Sequence, residues 1–114
     1  MRILLDHNIH AGLRLLFTDD TVSTAREMGW SDLSNGNLLS AAEFEFDVFV
    51  TADKNLPFQT KLAGRQIAVL VLDVPNLKLN TLKRFLNPIE REMQKAVPGT
   101  ATIISPDVEP DQPK

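Results

Sequence analysis

The chain has 114 residues, of which 43% are hydrophobic and 24% are charged, a balance typical of one globular domain with its own core. It contains no cysteine, which excludes disulfides and thiolate metal sites, and no apolar run as long as a membrane span. No signal peptide is visible after Met1, so we expect a cytoplasmic protein without a membrane partner. The net charge of −3 argues against coating nucleic acid by bulk attraction, but it is compatible with a local cationic groove.

Predicted strands and helices alternate along the chain. In chain order they are a strand at 2–5, a helix at 9–17, a strand at 21–24, a helix at 36–46, a strand at 48–51, a helix at 58–63, a strand at 66–72, a helix at 79–96 and a strand at 101–104. Asn8 is the candidate N-cap of the first helix, and Ser34 or Asn35 is that of the second. Pro88 predicts a kink or a break in the last helix.

This alternation predicts an α/β fold, a three-layer sandwich whose central and mainly parallel sheet is flanked by helices. We expect one domain over residues 1–104 and a mobile tail over 105–114, which is rich in Pro and Asp. Ligands of open parallel sheets bind beyond the carboxyl ends of the strands. Asp6, Asp53 and Asp73 follow predicted strands, so we expect all three at one functional edge.

Asp6 and Asp53 are the candidate metal ligands, because Mg²⁺ and Mn²⁺ prefer carboxylate oxygens. The structural alternatives are a helix cap or a satisfied loop aspartate for Asp6, and a turn that ends the strand for Asp53. Thr51 is expected to fix the Asp53 carboxylate, and Lys54 to contact a phosphate or keep that carboxylate ionised, unless it is a solvated surface charge. Asp73 precedes a turn signature and is interpreted as structural.

The remaining polar and aromatic residues carry weaker signals. His7 and His10 lie three residues apart, but zinc needs further nitrogen or sulfur ligands that the chain lacks. Trp30 is either a surface for stacking a base or a partly buried anchor. Asn8 is assigned, with Thr51 and Lys54, to substrate binding at the strand ends.

Four blocks of the sequence together resemble the PIN-like nuclease family, in particular its small bacterial members, which are related to toxin ribonucleases. The blocks are ILLDHNI at 3–9, TAREMGW at 24–30, LSNGNLLSAAE at 33–43 and FDVFVTADKNLPFQTKLAGR at 46–65. The resemblance implies a parallel sheet with acidic residues gathered at one edge. It also implies a ribonuclease that uses Mg²⁺ or Mn²⁺, often as the toxin of a toxin–antitoxin pair.

The resemblance also implies roles for individual residues. Asp6 matches the first family aspartate, Asp53 matches the last, and Glu27 is the candidate for the glutamate between them. Asn35 stands where active members often carry an aspartate, and it is expected to orient a metal-bound water instead. Asp32 lies three residues earlier and is a candidate substitute for the missing carboxylate.

We therefore expect a Mg²⁺- or Mn²⁺-dependent endoribonuclease whose partners are RNA, an antitoxin protein and a second copy of the chain. The expectation of a homodimer comes from the helix at 79–96, which carries more apolar residues than one small sheet covers. One alternative is a non-catalytic PIN-like module that binds RNA or a partner protein, since Asn35 replaces a carboxylate. Another is a phosphoryl-transfer enzyme with Asp6 as nucleophile or a receiver-type phosphoacceptor, although Asn8 stands where the former needs a second acid.

Overall fold

The computed structural model describes residues 1–17 and 20–105, which contain one five-stranded sheet. The strands are β1 (Arg2–Leu5), β2 (Thr21–Thr24), β3 (Val48–Thr51), β4 (Ala68–Leu72) and β5 (Ala101–Ile104). Their order across the sheet is β2-β1-β3-β4-β5, and every neighbouring pair is parallel. The predicted α/β fold with a parallel sheet is therefore confirmed.

Helices cover both faces of this sheet and complete the three layers. They are a 3-10 helix (Ala11–Leu16), α1 (Asn35–Ala42), α2 (Leu56–Gln59), α3 (Leu79–Arg84) and α4 (Leu86–Lys95). Successive side chains of a strand face opposite sides. Ile3 and Leu5 accordingly pack in a core with the 3-10 helix, α3 and α4, whereas Leu4 and Phe49 pack in a second core with α1 and α2.

The first predicted helix is shorter than expected, and its cap was assigned wrongly. Asp6 and Ile9 close a turn through the Ile9 N–H and the Asp6 carbonyl oxygen at 3.0 Å, so helical structure starts only at Ala11. His10 is the N-cap, and its Nδ1 accepts from the Gly12 N–H at 2.9 Å. The side chain of Asn8 is free to act elsewhere because it precedes the cap by two residues.

Two further predicted helices start earlier than expected. Ser34 caps α1 by accepting from the Asn37 N–H at 3.4 Å, so Asn35 is the first residue of the helix. The short helix α2 starts at Leu56 instead of residue 58. Pro57 is tolerated there because the first turn of a helix leaves its N–H groups without intrahelical partners.

The last predicted helix is two helices, separated at Phe85. Pro88 has no N–H with which to bond the carbonyl oxygen of Arg84, so the ladder is interrupted ahead of the proline. Apolar residues of both helices, Leu82, Ile89 and Met93 among them, are buried against the sheet. Much of the apolar surface that motivated the homodimer is thus covered within one chain, and the homodimer stays a prediction.

The strand order reverses between β1 and β3, because β2 lies on one side of β1, whereas β3, β4 and β5 lie on the other. The chain leaves β1 towards the layer of the 3-10 helix, and it leaves β3 towards the layer of α2. The two connections diverge, and in sheets of this kind a ligand enters at that point. We therefore expect a functional site at the residues that follow β1 and β3.

Two further expectations concern the C-terminal tail and membrane-spanning helices. The predicted tail falls almost entirely on residues 106–114, which lie outside the described residues. Within residues 1–17 and 20–105, no helix combines the length and the apolar character needed to cross a membrane.

Candidate functional site

Three polar side chains are buried among the described residues, and all three lie at the carboxyl edge of the sheet. Thr24 and Thr51 are the last residues of β2 and β3, and Asp6 follows β1 directly. Asp6 is only 3% exposed. Burying a carboxylate is unfavourable unless hydrogen bonds compensate for the lost water, so its partners define the centre of the site.

Both oxygens of the Asp6 carboxylate are hydrogen-bonded. Oδ2 accepts from the hydroxyl of Thr51 at 2.7 Å. Oδ1 accepts from the backbone N–H of His7 at 2.8 Å and lies 2.9 Å from His7 Nδ1. The Asp6 N–H donates to the Val50 carbonyl oxygen at 2.9 Å and so extends the pairing of β1 with β3. The carboxylate is thereby held rigidly over the neighbouring strand.

Thr51 connects Asp6 to Asp53. Its hydroxyl has one proton, which goes to Asp6, and its oxygen accepts from the Asp53 N–H at 3.1 Å. The Asp53 carboxylate accepts from the Asn55 N–H at 3.0 Å through Oδ1 and from the Asn35 amide nitrogen at 3.1 Å through Oδ2. Thr51 thus holds the carboxylate of Asp6 instead of that of Asp53, which is a correction to the sequence-based expectation.

Asn8 and Lys54 also lie near these strand ends. Asn8 Oδ1 accepts from the Ala52 N–H at 3.4 Å and ties the connection after β1 to the one after β3. Lys54 Nζ lies 3.5 Å from Asp73 Oδ1, an exposed ion pair that contributes little to stability. Asp73 therefore does more than form a turn: it holds Lys54 beside the carboxyl ends of β3 and β4.

Glu27 belongs to a separate cluster after β2. Thr24 and Glu27 form a capping box, in which the Thr24 hydroxyl oxygen accepts from the Glu27 N–H and the Glu27 carboxylate accepts from the Thr24 N–H. The guanidinium of Arg14 also binds this carboxylate and, with the Thr24 N–H, lowers the pKa of Glu27 to about 2. No hydrogen bond joins Glu27 to Asp6 among the described residues, and its catalytic role stays a prediction.

A cleft of about 400 Å³ opens between the ends of β1 and β2, and we call it the β1–β2 cleft. Its polar lining comes from Asp6, His7, His10, Thr24, Arg26 and Ser31. Neither Asp53 nor Asn35 lines it. Asp6 is therefore shared between this cleft and the network that leads through Thr51 to Asp53.

The side-chain oxygen atoms at these strand ends are suitable ligands for a hard divalent cation. The candidates are the carboxylates of Asp6 and Asp53 and the amide oxygens of Asn8 and Asn35. Across residues 1–17 and 20–105, no group of three or more His, Cys, Asp or Glu side chains could hold a metal ion. These residues fit an ion that keeps several waters and takes one or two carboxylates, a common mode for Mg²⁺, and do not fit a fully enclosed ion.

Sequence reasoning missed the part of the site that loops supply. Thr24, Arg26 and Ser31 come from the end of β2 and the turn that follows it, and they carry no metal-ligand spacing. The available signal was the pattern Thr-x-x-Glu at 24–27, which marks a capping box and hence an ordered turn beside the strand end. His7 and His10, whose spacing was interpreted as a weak zinc signal, both line the cleft.

Comparisons with protein-family models, with characterised proteins and with solved structures find no match to this chain.

Proposed function

We propose that the protein is a Mg²⁺- or Mn²⁺-dependent ribonuclease of the PIN-like type. The observation that carries the proposal is the connection of buried Asp6 through Thr51 to Asp53, at the reversal of the strand order. The position of Asp6 favours a functional interpretation, because ligands of parallel sheets bind at the carboxyl ends of the strands where the strand order reverses. The PIN-like assignment is supported by the four sequence blocks.

The residues of this chain would have distinct tasks in the reaction. Asp6 and Asp53 would hold the ion, Asp6 fixed by Thr51 and Asp53 by the amide of Asn35. When bound, such an ion would stabilise negative charge on a scissile phosphate and make water a stronger nucleophile. The Asn35 amide oxygen, opposite the nitrogen bonded to Asp53, would orient that water, and Lys54 would leave Asp73 to contact the phosphate.

The test compares two aspartates at opposite edges of the sheet. Asp53→Asn removes a proposed ligand, whereas Asp47→Asn changes a residue whose carboxylate accepts from the Arg2 N–H at 2.7 Å at the amino ends of the strands. We expect calorimetric titration to show Mn²⁺ binding by the wild type and by Asp47→Asn, and its loss in Asp53→Asn. Cleavage of a labelled single-stranded RNA should follow the same pattern. Absence of wild-type binding at millimolar metal would reject the proposal.

A non-catalytic PIN-like module that binds RNA or a partner protein is the second candidate. It is favoured by Asn35, which supplies an amide where a further carboxylate would strengthen metal binding, and by the absence of a three-ligand group among the described residues. RNA binding without cleavage at any metal concentration would identify it. The toxin role and an antitoxin partner rest on the resemblance, and action in the cytoplasm rests on the sequence pattern after Met1 and the lack of cysteine.

A further inference from the structure

The β1–β2 cleft has the dimensions of a small-molecule site. Its volume of about 400 Å³ lies within the ~300–1,000 Å³ typical of such sites. It adjoins Asp6, so a ligand in the cleft would lie beside the proposed metal position. The exposed Ala11 and the small accessible part of Ile9, which is 4% exposed, give it an apolar wall next to its polar lining.

The polar lining of the cleft is rich in hydrogen-bond donors. His10 Nδ1 accepts from the Gly12 N–H, so a proton must reside on its Nε2, which can donate. The Thr24 hydroxyl is not available as a donor, because its oxygen accepts from the Glu27 N–H and the hydroxyl also bonds the Glu27 carboxylate. The exposed hydroxyl of Ser31 adds a further donor. A phosphate, which at neutral pH offers mainly acceptors, matches this set.

Arg26 is the unpaired cation of the cleft. Within residues 1–17 and 20–105, its side chain makes no hydrogen bond or ion pair, whereas the nearby Arg14 is engaged by Glu27. The Asp6 carboxylate, which is hydrogen-bonded by the His7 N–H and the Thr51 hydroxyl, adds one negative charge to the lining. The described lining thus has one cation, Arg26, and one anion, Asp6, together with several hydrogen-bond donors, on a protein whose net charge is −3.

We propose that the β1–β2 cleft binds one nucleotide of a nucleic-acid strand, with the phosphate held by Arg26 and His10 and the nucleoside against Ile9 and Ala11. The apolar wall favours a nucleotide over free phosphate, which would leave that wall uncovered. The identification of the strand as RNA rests on the proposed function. The neighbouring phosphate would then lie next to Asp6, where the proposed reaction takes place.

The test uses the full chain, labelled with ¹⁵N, in EDTA, so that it does not depend on metal or on cleavage. Adenosine 5′-monophosphate is expected to shift the amide signals of residues 6–11 and 24–31, and adenosine alone to bind much more weakly. Arg26→Gln should weaken binding by about tenfold or more, because a charge-assisted contact is lost. Arg91→Gln changes an exposed arginine of α4 outside the cleft and should bind like the wild type.

Each result decides the matter. Amide shifts confined to residues 6–11 and 24–31 support the proposal if Arg26→Gln weakens nucleotide binding. The amide signals of the rest of that variant should match those of the wild type. Absent shifts, unweakened binding by Arg26→Gln, or phosphoserine binding as tightly as adenosine 5′-monophosphate would overturn it. Asp53→Asn should still bind the nucleotide, because Asp53 does not line the cleft. A wild type that binds the nucleotide but neither binds Mn²⁺ nor cleaves RNA would reject the proposed function alone.

Discussion

At the scale of single residues, Asn35 has a role that a carboxylate cannot perform. Its amide nitrogen donates to Asp53 Oδ2 at 3.1 Å. An ionised aspartate at position 35 would have no proton to donate, and it would place a second negative charge beside the first. The amide therefore stabilises Asp53 when no cation is bound, at the expense of one potential metal ligand.

We predict that Asn35→Asp makes the stability of the folded protein depend on divalent metal more strongly than in the wild type. In EDTA at neutral pH the free energy of unfolding should fall by about 1–2 kcal/mol, because a hydrogen bond becomes a like-charge contact. Added Mn²⁺ should raise the melting temperature of the variant more than that of the wild type, since a cation can bridge the two carboxylates. Thermal unfolding measured in both buffers checks this.

Asn37→Asp is the matched control, because Asn37 is exposed in the same first turn of α1. It reproduces the effect of a new negative charge at a helix N-terminus, which is normally favourable. If Asn35→Asp melted like Asn37→Asp in both EDTA and Mn²⁺, the bond between Asn35 and Asp53 would not have the role that we assign to it.

Glu27 predicts a specific dependence of stability on pH. Arg14 and the Thr24 N–H lower the pKa of Glu27 to about 2, from an ordinary value of 4.5. A carboxyl whose pKa is lowered by folding stabilises the protein fully above pH 4.5 and loses that contribution as the pH falls towards 2. The difference in melting temperature between the wild type and Glu27→Gln should therefore be constant near neutral pH and shrink across this window.

Arg14→Gln provides the control for this prediction. If the pKa of Glu27 is lowered by Arg14, the double variant should be little less stable than either single variant, since both remove the same interaction. A difference in melting temperature between the wild type and Glu27→Gln that stays constant from neutral pH down to pH 2 would contradict the assignment.

At the scale of secondary-structure elements, one ion pair anchors the end of α1 to the segment that leads into β4. Arg65 Nη1 lies 3.1 Å from Glu43 Oε2, and both side chains are less than one fifth exposed. Arg65 also donates to the Ser40 hydroxyl and to the Lys61 carbonyl oxygen. The Gln66 N–H donates to Glu43 Oε1 at 3.3 Å, so the carboxylate binds side chain and backbone together.

We predict that Glu43→Ala lowers the free energy of unfolding by about 1–3 kcal/mol, because it leaves a largely buried guanidinium without its counter-charge. Glu45→Ala, two residues away and exposed, should change it by less than about 0.5 kcal/mol. Urea unfolding of the three proteins measures both values. Equal midpoints for Glu43→Ala and the wild type would show that solvent already screens the pair.

At the scale of the whole molecule, the strands were predictable and the site only in part. Four strands have the predicted bounds, because short runs of β-branched and apolar residues between turns carry a strong local signal. That Asp6 and Asp53 share an edge followed from the parallel sheet. The bond from Thr51 to Asp6 did not follow, since it depends on the register that pairs Leu5 with Val50 across 45 positions of sequence.

The residues that the turn after β2 contributes to the β1–β2 cleft were beyond prediction for a related reason. Arg26 and Ser31 follow β2 in a turn whose path is set by the capping box and by Gly29, which has a φ of +76°. The start of the first helix was predicted wrongly because the cap at His10 competes with apolar spacing, whereas the break that Pro88 predicts in the last helix is confirmed. Local patterns specify elements, whereas contacts between distant segments specify the site.

The strand order also divides the carboxyl edge of the sheet into a more stable part and a less stable part. Asp6 and Asp53 follow β1 and β3, which are paired on both sides. Thr24 ends β2 and Arg26 follows it, and β2 has β1 as its neighbour in the described sheet. Edge strands open at lower free energy than central ones, so amide exchange after β2 should be faster than after β1 and β3. The carboxylates of Asp6 and Asp53 would then keep their positions while local opening of β2 disrupts the cleft. A strand of nucleic acid would therefore enter and leave on the side of the less stable edge strand.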